Sequence, residues 1–245
     1  MGNSLYIGTA AGAGAMRALD VAANNLANAQ TTGFKADRAV FSVKMVEAAG
    51  LIDPSARRMS ATASRVETTA TDFRSGTSIP TDQPTDFAIE GEGFFHLRDG
   101  DGNEFLTRDG TFRLDGDGNL ATRDGLLVLD DTGAAMKVAG NGLEVAEDGS
   151  VLVGGKLAGS MAIKDVANRA ELEKIGGTRF AVQGELIDGT GGVAQGWLEG
   201  SNVEPVGALV ELIALQRYYE AFQKSAQAGD DMDQQLAQRV GRKND

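Results

Sequence analysis

The chain contains no cysteine and a single histidine among its 245 residues. Without thiols it cannot form disulfides or cysteine-ligated zinc or iron–sulfur sites, and this composition suits an oxidising compartment. The lone histidine, His96, stands between Phe95 and Leu97 in a predicted strand. A single histidine in a strand is more often a packing or edge residue than a ligand or a base, so we expect no histidine-based site.

Basic residues and long apolar runs are also scarce. Lysine and arginine number 23 against 35 aspartate and glutamate, and the net charge is -12. Because this charge repels a phosphate backbone, nucleic acid is not an expected partner. No stretch reaches the roughly 18 apolar residues of a membrane-spanning helix, and the N-terminal stretch lacks the pattern of a cleaved signal peptide. We expect neither a leader peptide nor direct membrane insertion.

Glycine, in contrast, is abundant, with 33 residues. From 86 to 130, short apolar runs alternate with Asp-Gly and Gly-Asn pairs, which are strong hairpin signals. The sequence therefore predicts a β-rich domain over 86–200. The preceding segment, 36–85, shows neither helical nor strand periodicity through most of its length and is predicted to be an extended connector.

Three short motifs in the β-rich region resemble ligand sites but lack the residues that such sites need. The DGDGN tracts at Asp99 and Asp115 begin like calcium loops, yet the glycine and glutamate required further on are missing. The GEG at 91–93 lacks the helix and third glycine of a dinucleotide loop. We predict hairpin turns and a strand bend there, no catalytic, cofactor-binding or metal site, and a protein that is not an enzyme.

Apolar residues at alternating spacings of four and three predict a helix at each end of the chain. The N-terminal series is Leu5, Thr9, Gly12, Met16, Leu19, Ala23 and Leu26, and the C-terminal series begins Ala208, Leu212, Leu215, Tyr219 and Phe222. The predicted fold class is a mainly β central domain plus long N- and C-terminal helices, over 1–35 and 201–245, that pair as a coiled coil, α+β overall.

The stretch VAANNLANAQTTGFKADR, from Val21 to Arg38, places three asparagines at the end of the first helix. Asparagine is a poor helix-interior residue because its amide competes for backbone groups. One interpretation is that these residues, with Gly33, only end the helix. The favoured interpretation is that buried amides fix the register between subunits, because a slipped arrangement leaves them unpaired.

Three segments together resemble the bacterial flagellar rod and hook proteins. They are ANNLANAQTTGFKAD near the N-terminus, DFAIEGEGFFHL with FLTRDGTFRLDGDGNL in the β-rich region, and SNVEPVGALVELIALQRYYEAFQK near the C-terminus. The resemblance implies a structural subunit of the basal-body rod, exported unfolded by the flagellar type III apparatus and assembled in the periplasm. Chain length and the tail LAQRVGR favour a proximal over a distal rod position.

Such a subunit is expected to assemble head-to-tail with copies of itself and other rod proteins, and to transmit torque from motor to hook. The candidate interface residues are Leu5, Met16, Leu19, Asn24, Asn25, Leu26, Asn28, Thr32, Gly33, Phe34, Leu212, Leu215, Tyr219 and Phe222. Two other classes of function stay open. An enzyme would need a converging cluster of titratable groups, and a secreted binding module would be a stable monomer that binds through its β domain.

Overall fold

The computed structural model describes residues 2–45, 62–138, 140, 142–182 and 184–241. The chain forms two compact units. Unit 1 consists of Met1–Ala27, Asp37–Ala70 and Pro205–Asp245, and unit 2 of Asn28–Ala36 and Thr71–Glu204.

Unit 1 contains two helices and a strand pair. Helix α1 spans Gly2–Ala27 and packs on α2, Pro205–Gly241. Strands β1 (Asp37–Met45) and β2 (Thr62–Thr71) pair within the stretch for which the sequence predicted an extended connector. A Cβ atom on Gly12 of α1 would lie 2.5 Å from Cε1 of Phe222, so the absence of a side chain there allows the helices to approach closely.

The predicted fold class is wrong in its helical part. The chain is mainly β, and its described residues show no long terminal helices wound as a coiled coil. Among the described side chains of α1, from residue 12 onward, Ala15, Ala18 and Ala22 are buried, whereas Met16 of the predicted heptad is 54% exposed. The predicted series does contain Gly12, which lies against Phe222, but the buried alanines lie outside the series, because small side chains permit a short interhelical distance.

Unit 2 is built from short strands. They are β3 (Ser78–Pro80), β4 (Phe87–Glu90), β5 (Phe94–Arg98), β6 (Glu104–Thr107), β7 (Phe112–Leu114), β8 (Leu120–Thr122), β9 (Leu127–Val128), β10 (Leu143–Val145), β11 (Ser150–Val153), β12 (Lys156–Ser160), β13 (Ile163–Val166), β14 (Glu173–Lys174), β15 (Arg179–Ala181), β16 (Leu186–Asp188), β17 (Gly192–Gln195) and β18 (Trp197–Glu199). A short 3-10 turn spans Arg169–Glu171.

The largest sheet has the strand order β14-β15-β6-β5-β9-β8-β7, and β13 pairs with both β5 and β16. Smaller sheets are formed by β10-β11-β12, by β17-β4 and by β18-β3. These pairings are antiparallel, as short hairpin connections require.

The prediction of hairpin turns at the DGDGN tracts is confirmed. Between β5 and β6, the Asp99 carboxylate accepts hydrogen bonds from the backbone N–H of Asp101 at 2.9 Å and of Asn103 at 2.8 Å. The Asp115 carboxylate does the same between β7 and β8. Each aspartate thus closes its own turn, as Asx turns do, and the Asn103 amide lowers the pKa of Asp99.

Strand β5 is the middle strand of the largest sheet and is buried on both faces. Successive side chains of a strand point to opposite faces. Phe95 and Leu97 accordingly belong to one apolar cluster, and Phe94 belongs to a second cluster with Leu106 and Phe180. The predicted bend precedes this strand, where the glycines at 91 and 93 have φ angles of 110° and 127°.

No helix among the described residues combines the length and the apolar character that a bilayer crossing requires. Within that same part of the chain, histidine, aspartate and glutamate side chains do not gather in groups of three that could hold a metal ion.

His96 is buried within β5, with Nε2 3.0 Å from Oε2 of Glu104 on β6. Burial lowers the pKa of His96, and the nearby charges of Arg98 and Lys164 lower it further, whereas Glu104 opposes the change. The imidazole is therefore held in its neutral form around neutral pH.

We predict that His96 makes the stability of unit 2 depend on pH just below neutrality. Because its pKa is lower in the folded than in the unfolded chain, its contribution is complete above the unfolded value of about 6.5 and is lost as the pH falls through the folded pKa. The slope should reach at most about 1.4 kcal/mol per pH unit. Urea unfolding from pH 7.5 to 5 measures this slope.

The control for this titration is His96→Gln, which keeps a polar side chain but has no group that titrates in that range. Since His96 is the chain's single histidine, the variant should flatten the slope. A variant slope equal to that of the wild type would assign the pH dependence to other groups.

Candidate assembly site

The segment after α1, Asn28–Ala36, forms a tight turn in unit 2, and we call it the signature turn. The Thr31 backbone N–H donates to the Asn28 carbonyl at 3.1 Å, and the Thr31 hydroxyl donates to the Asn28 amide oxygen at 3.3 Å. Gly33 follows with a φ of 68°, and a Cβ atom there would lie 2.2 Å from the backbone nitrogen of Asp109. Both the left-handed conformation and the close backbone therefore require glycine at this position.

The residues on either side of Gly33 are held by side chains from distant parts of unit 2. The Thr32 hydroxyl donates to a carboxylate oxygen of Asp109 at 2.8 Å. Phe34 is 1% exposed, and Nζ of Lys174 lies 3.9 Å from the centre of its ring, a cation–π arrangement. The structure thus places Phe34 in the interior of unit 2.

Three charged side chains meet in the interior of unit 2, and we call them the ionic triad: Lys35, Arg108 and Glu199. Nζ of Lys35 lies 2.6 Å from Oε1 of Glu199, and Nη1 of Arg108 lies 3.1 Å from Oε2. All three are at most 2% exposed. Burial lowers the pKa of Lys35, and the charge of Glu199 opposes that change.

Backbone groups complete the hydrogen bonding around the ionic triad. Lys35 donates to the Arg74 carbonyl at 2.9 Å, and Glu199 accepts from the Gly76 N–H at 2.9 Å. Arg108 donates from Nη2 to the Gly91 carbonyl at 2.7 Å. Nε of Arg108 is also buried, and it forms no hydrogen bond within the described part of the chain. Because nearly every donor and acceptor is paired, burial of these charges is tolerated.

Asn202 joins the two ends of the unit 2 chain near the ionic triad. Its amide oxygen accepts from the Ala36 N–H at 2.8 Å, and its amide nitrogen donates to the carbonyls of Asp72 at 2.7 Å and Arg74 at 3.0 Å. Sequence reasoning did not find the ionic triad, although Lys35 lies inside the recognised segment ANNLANAQTTGFKAD and Glu199 lies just before the recognised C-terminal segment.

In unit 1, Asn25 is the asparagine with the clearest structural role. Its amide nitrogen donates to the Asp37 carbonyl at 2.8 Å, and its amide oxygen accepts from the Asp37 N–H at 2.9 Å. This pair of bonds fixes the start of β1 against the last turn of α1. The contact lies within one chain, and whether Asn25 also contacts another subunit stays a prediction.

The other candidate interface residues differ in exposure. On α1, Asn24 is exposed, Leu19 and Leu26 are half-buried, and Leu5 has a side chain outside the described part. On α2, the half-buried residues are Leu212, Leu215, Tyr219 and Phe222. The interface role of these residues stays a prediction.

A second set of apolar residues on α2 is exposed, and sequence analysis did not include it among the interface candidates. We call it the α2 stripe: Val206, Leu209, Val210 and Ile213, which are 69%, 47%, 62% and 42% exposed. The spacings of three and four place these side chains on one side of the helix. A contiguous apolar stripe that stays in water is a typical subunit contact.

Comparison with known proteins identifies the family. Three family models match this chain: "Flagella basal body rod protein" at residues 5–35, "Flagellar hook protein FlgE/F/G D1 domain" at 88–153, and "Flagellar basal body rod FlgEFG protein C-terminal" at 194–239. They cover most of α1 with the signature turn, the strands from β4 to β11, and most of α2. Their order along the chain is that of the three recognised segments.

Relatives match along most of the chain. The flagellar basal-body rod protein FlgF of Caulobacter vibrioides is 32% identical, with 100% of each chain covered. The chain belongs to the family of flagellar basal-body rod proteins. Rod proteins named FlgG are similar too: that of Buchnera aphidicola subsp. Acyrthosiphon pisum is 33% identical over 90% of this chain and 93% of its own, and that of Bacillus subtilis 31% identical over 95% and 97%. The resemblance seen in the sequence is confirmed.

We predict that Glu199→Ala lowers the free energy of unfolding of unit 2 by about 3–5 kcal/mol, because it leaves Lys35 and Arg108 as buried cations without a counter-charge. Urea unfolding followed by tryptophan fluorescence measures the effect, since the single tryptophan, Trp197, lies in β18 beside Glu199. The control is Asp188→Ala, which removes an exposed pair with Lys164 and should cost at most about 1 kcal/mol. Equal losses in both variants would contradict a structural role for the ionic triad.

We also predict that Asn25→Ala destabilises the helices of unit 1 by about 1–3 kcal/mol, the sum of two hydrogen bonds. Thermal unfolding followed by circular dichroism at the helical wavelength measures this. Asn25→Asp should have a smaller effect, because it still accepts from Asp37 but no longer donates. If cells carrying Asn25→Ala lose motility while the helices of the purified protein keep their stability, the amide acts between subunits instead.

Proposed function

We propose that the chain is a structural subunit of the proximal part of the flagellar rod, where it transmits torque from motor to hook. It is proposed to reach the periplasm through the flagellar type III export apparatus and to assemble there with copies of itself and other rod proteins. Membership of the rod family supports this function. The full-length match with a FlgF protein supports the proximal position.

The observation that carries the proposal is the exposed α2 stripe. Its four side chains are in water although α2 buries a different set of residues in unit 1. Exposed apolar side chains of this size cost free energy in water that burial against a neighbouring subunit recovers, at about 25 cal/mol per Å². A helix with one face inside its own unit and another face free is suited to heterologous assembly.

The interior of unit 2 supports a mechanical role. The ionic triad and Asn202 tie the signature turn to segments that lie far away in sequence. Torque applied to one part of this unit is resisted by many hydrogen bonds at once, so the unit can transmit force with little internal deformation. A subunit that carries load needs this rigidity more than it needs a ligand pocket.

The distal part of the rod is the second candidate position. It is supported by the matches with FlgG proteins, one of them at 33% identity. A density map of basal bodies isolated from cells that carry this chain as their sole copy would locate it.

We predict that Val210→Asp prevents rod assembly while the purified chain keeps its stability. Val210 is 62% exposed, so the change should alter the free energy of unfolding by no more than about 0.5 kcal/mol. In a subunit contact, however, the buried carboxylate would cost several kcal/mol. Swimming-halo diameter and the amount of this chain in isolated basal bodies measure assembly.

The matched control is Ser225→Asp, at an exposed polar position further along the same helix and outside the stripe, which should leave swimming unchanged. Wild-type halos for Val210→Asp would show that the α2 stripe faces water in the rod and would remove the observation that carries the proposal.

A further inference from the structure

The single tryptophan of the chain lies in a shallow cleft of unit 2, which we call the tryptophan cleft. Trp197 is 42% exposed, and Glu90 and Glu147 line the same cleft of about 540 Å³. Neither glutamate side chain pairs with a basic residue of the described chain. The cleft is therefore lined by a partly exposed tryptophan and by two glutamates that form no ion pair within the described part of the chain.

The tryptophan cleft is held in shape by hydrogen bonds that do not involve its indole or carboxylates. The Val193 N–H donates to the Glu147 carbonyl at 3.0 Å, which fixes the β10–β11 turn beside β17. Gln195 accepts from the Val145 N–H at 3.0 Å and donates to the Leu143 carbonyl at 2.9 Å. A fixed aromatic face beside carboxylates is the arrangement that binds guanidinium or ammonium groups.

An opposite surface lies elsewhere on unit 2, and we call it the arginine pair: Arg113 and Arg123. Both are exposed and line the same depression of the surface, and Nη2 of Arg113 donates to the backbone carbonyl of Arg123 at 2.9 Å. Within the described part of this acidic chain, neither guanidinium pairs with a carboxylate. Even the adjacent Asp124 lies instead 3.7 Å from Arg179.

We propose that the arginine pair of one copy binds the tryptophan cleft of the next copy. One guanidinium would stack on the Trp197 indole, and the carboxylates of Glu90 and Glu147 would pair with the two arginines. The proposal rests on the proposed function in one respect: an open rod requires contacts between two different surfaces of successive subunits. It adds a contact of unit 2 to the contacts of the helices.

Charge complementarity is what selects a second copy as the occupant. The chain has a net charge of -12, so copies repel one another in general unless a basic surface meets an acidic one. The arginine pair supplies such a basic surface, and the tryptophan cleft adds stacking to the charge attraction. A guanidinium loses less hydration free energy than an ammonium in such a contact, and its planar shape suits both the indole and a carboxylate.

The test uses two charge-reversed forms of the full chain. The first carries Glu90→Lys and Glu147→Lys, and the second carries Arg113→Glu and Arg123→Glu. Either form alone has two surfaces of like charge and should not associate through them, whereas a one-to-one mixture again presents opposite charges. Glu144→Lys with Glu185→Lys changes the net charge as the first form does, at exposed positions outside the cleft, and is its matched control.

The measurement is the fluorescence of Trp197 as protein concentration rises, because no other tryptophan contributes. For the wild type and the matched control we expect emission to move to shorter wavelength as the indole is covered. Each reversed form alone should raise the concentration at half-change by at least about tenfold. The mixture should return to within about threefold of the wild type.

Three results would overturn the inference. They are a wild-type emission that does not change with concentration, a change that both reversed forms retain, and a loss in both forms that mixing does not restore. The proposed function is judged separately, by whether the chain enters basal bodies. Val210→Asp should keep the fluorescence change, so failure of the helix contact and failure of this contact are distinguishable.

Discussion

The burial of one carboxylate between two cations is the constraint on which unit 2 depends. Without Glu199, Lys35 and Arg108 would be buried cations that lack a counter-charge, so the three side chains can be buried only together. Lys35 belongs to the signature turn, Arg108 lies between β6 and β7, and Glu199 lies on β18. Because these positions are far apart in sequence, pairing them fixes the path of the chain. Neighbouring hydrogen bonds support that placement, since the Gly33 N–H donates to the Glu199 carbonyl at 2.7 Å and both Lys35 and Asn202 donate to the Arg74 carbonyl.

This arrangement changes the interpretation of the sequence motif between Val21 and Arg38. Its glycine and lysine are explained by contacts inside one chain, where Gly33 meets the backbone of Asp109 and Lys35 meets Glu199. Asn25 is explained in part by the bonds that it makes to Asp37. Much of the motif therefore stabilises the subunit itself, and the surfaces that we propose for assembly are the α2 stripe, the tryptophan cleft and the arginine pair.

The family resemblance and the local turns were predictable from the sequence, but the helix packing was not. Asp99 and Asp115 close their hairpins with bonds to residues two and four positions ahead, so the DGDGN pattern contains all the partners. The packing face of α1 could not be predicted in the same way. The predicted series includes both Gly12 and Met16, whereas the close approach of the helices uses Gly12 together with three alanines outside the series and leaves Met16 exposed.

By itself, the sequence determined the abundance of β hairpins, the lack of thiol chemistry, the acidic charge and the membership of the rod family. These properties depend on composition or on interactions between neighbouring residues. Only the tertiary structure decided that Lys35 meets Glu199, 164 positions away, and that α2 keeps an apolar stripe in water. No periodicity encodes such pairs, because the distance between two residues far apart in sequence depends on the whole path of the chain between them.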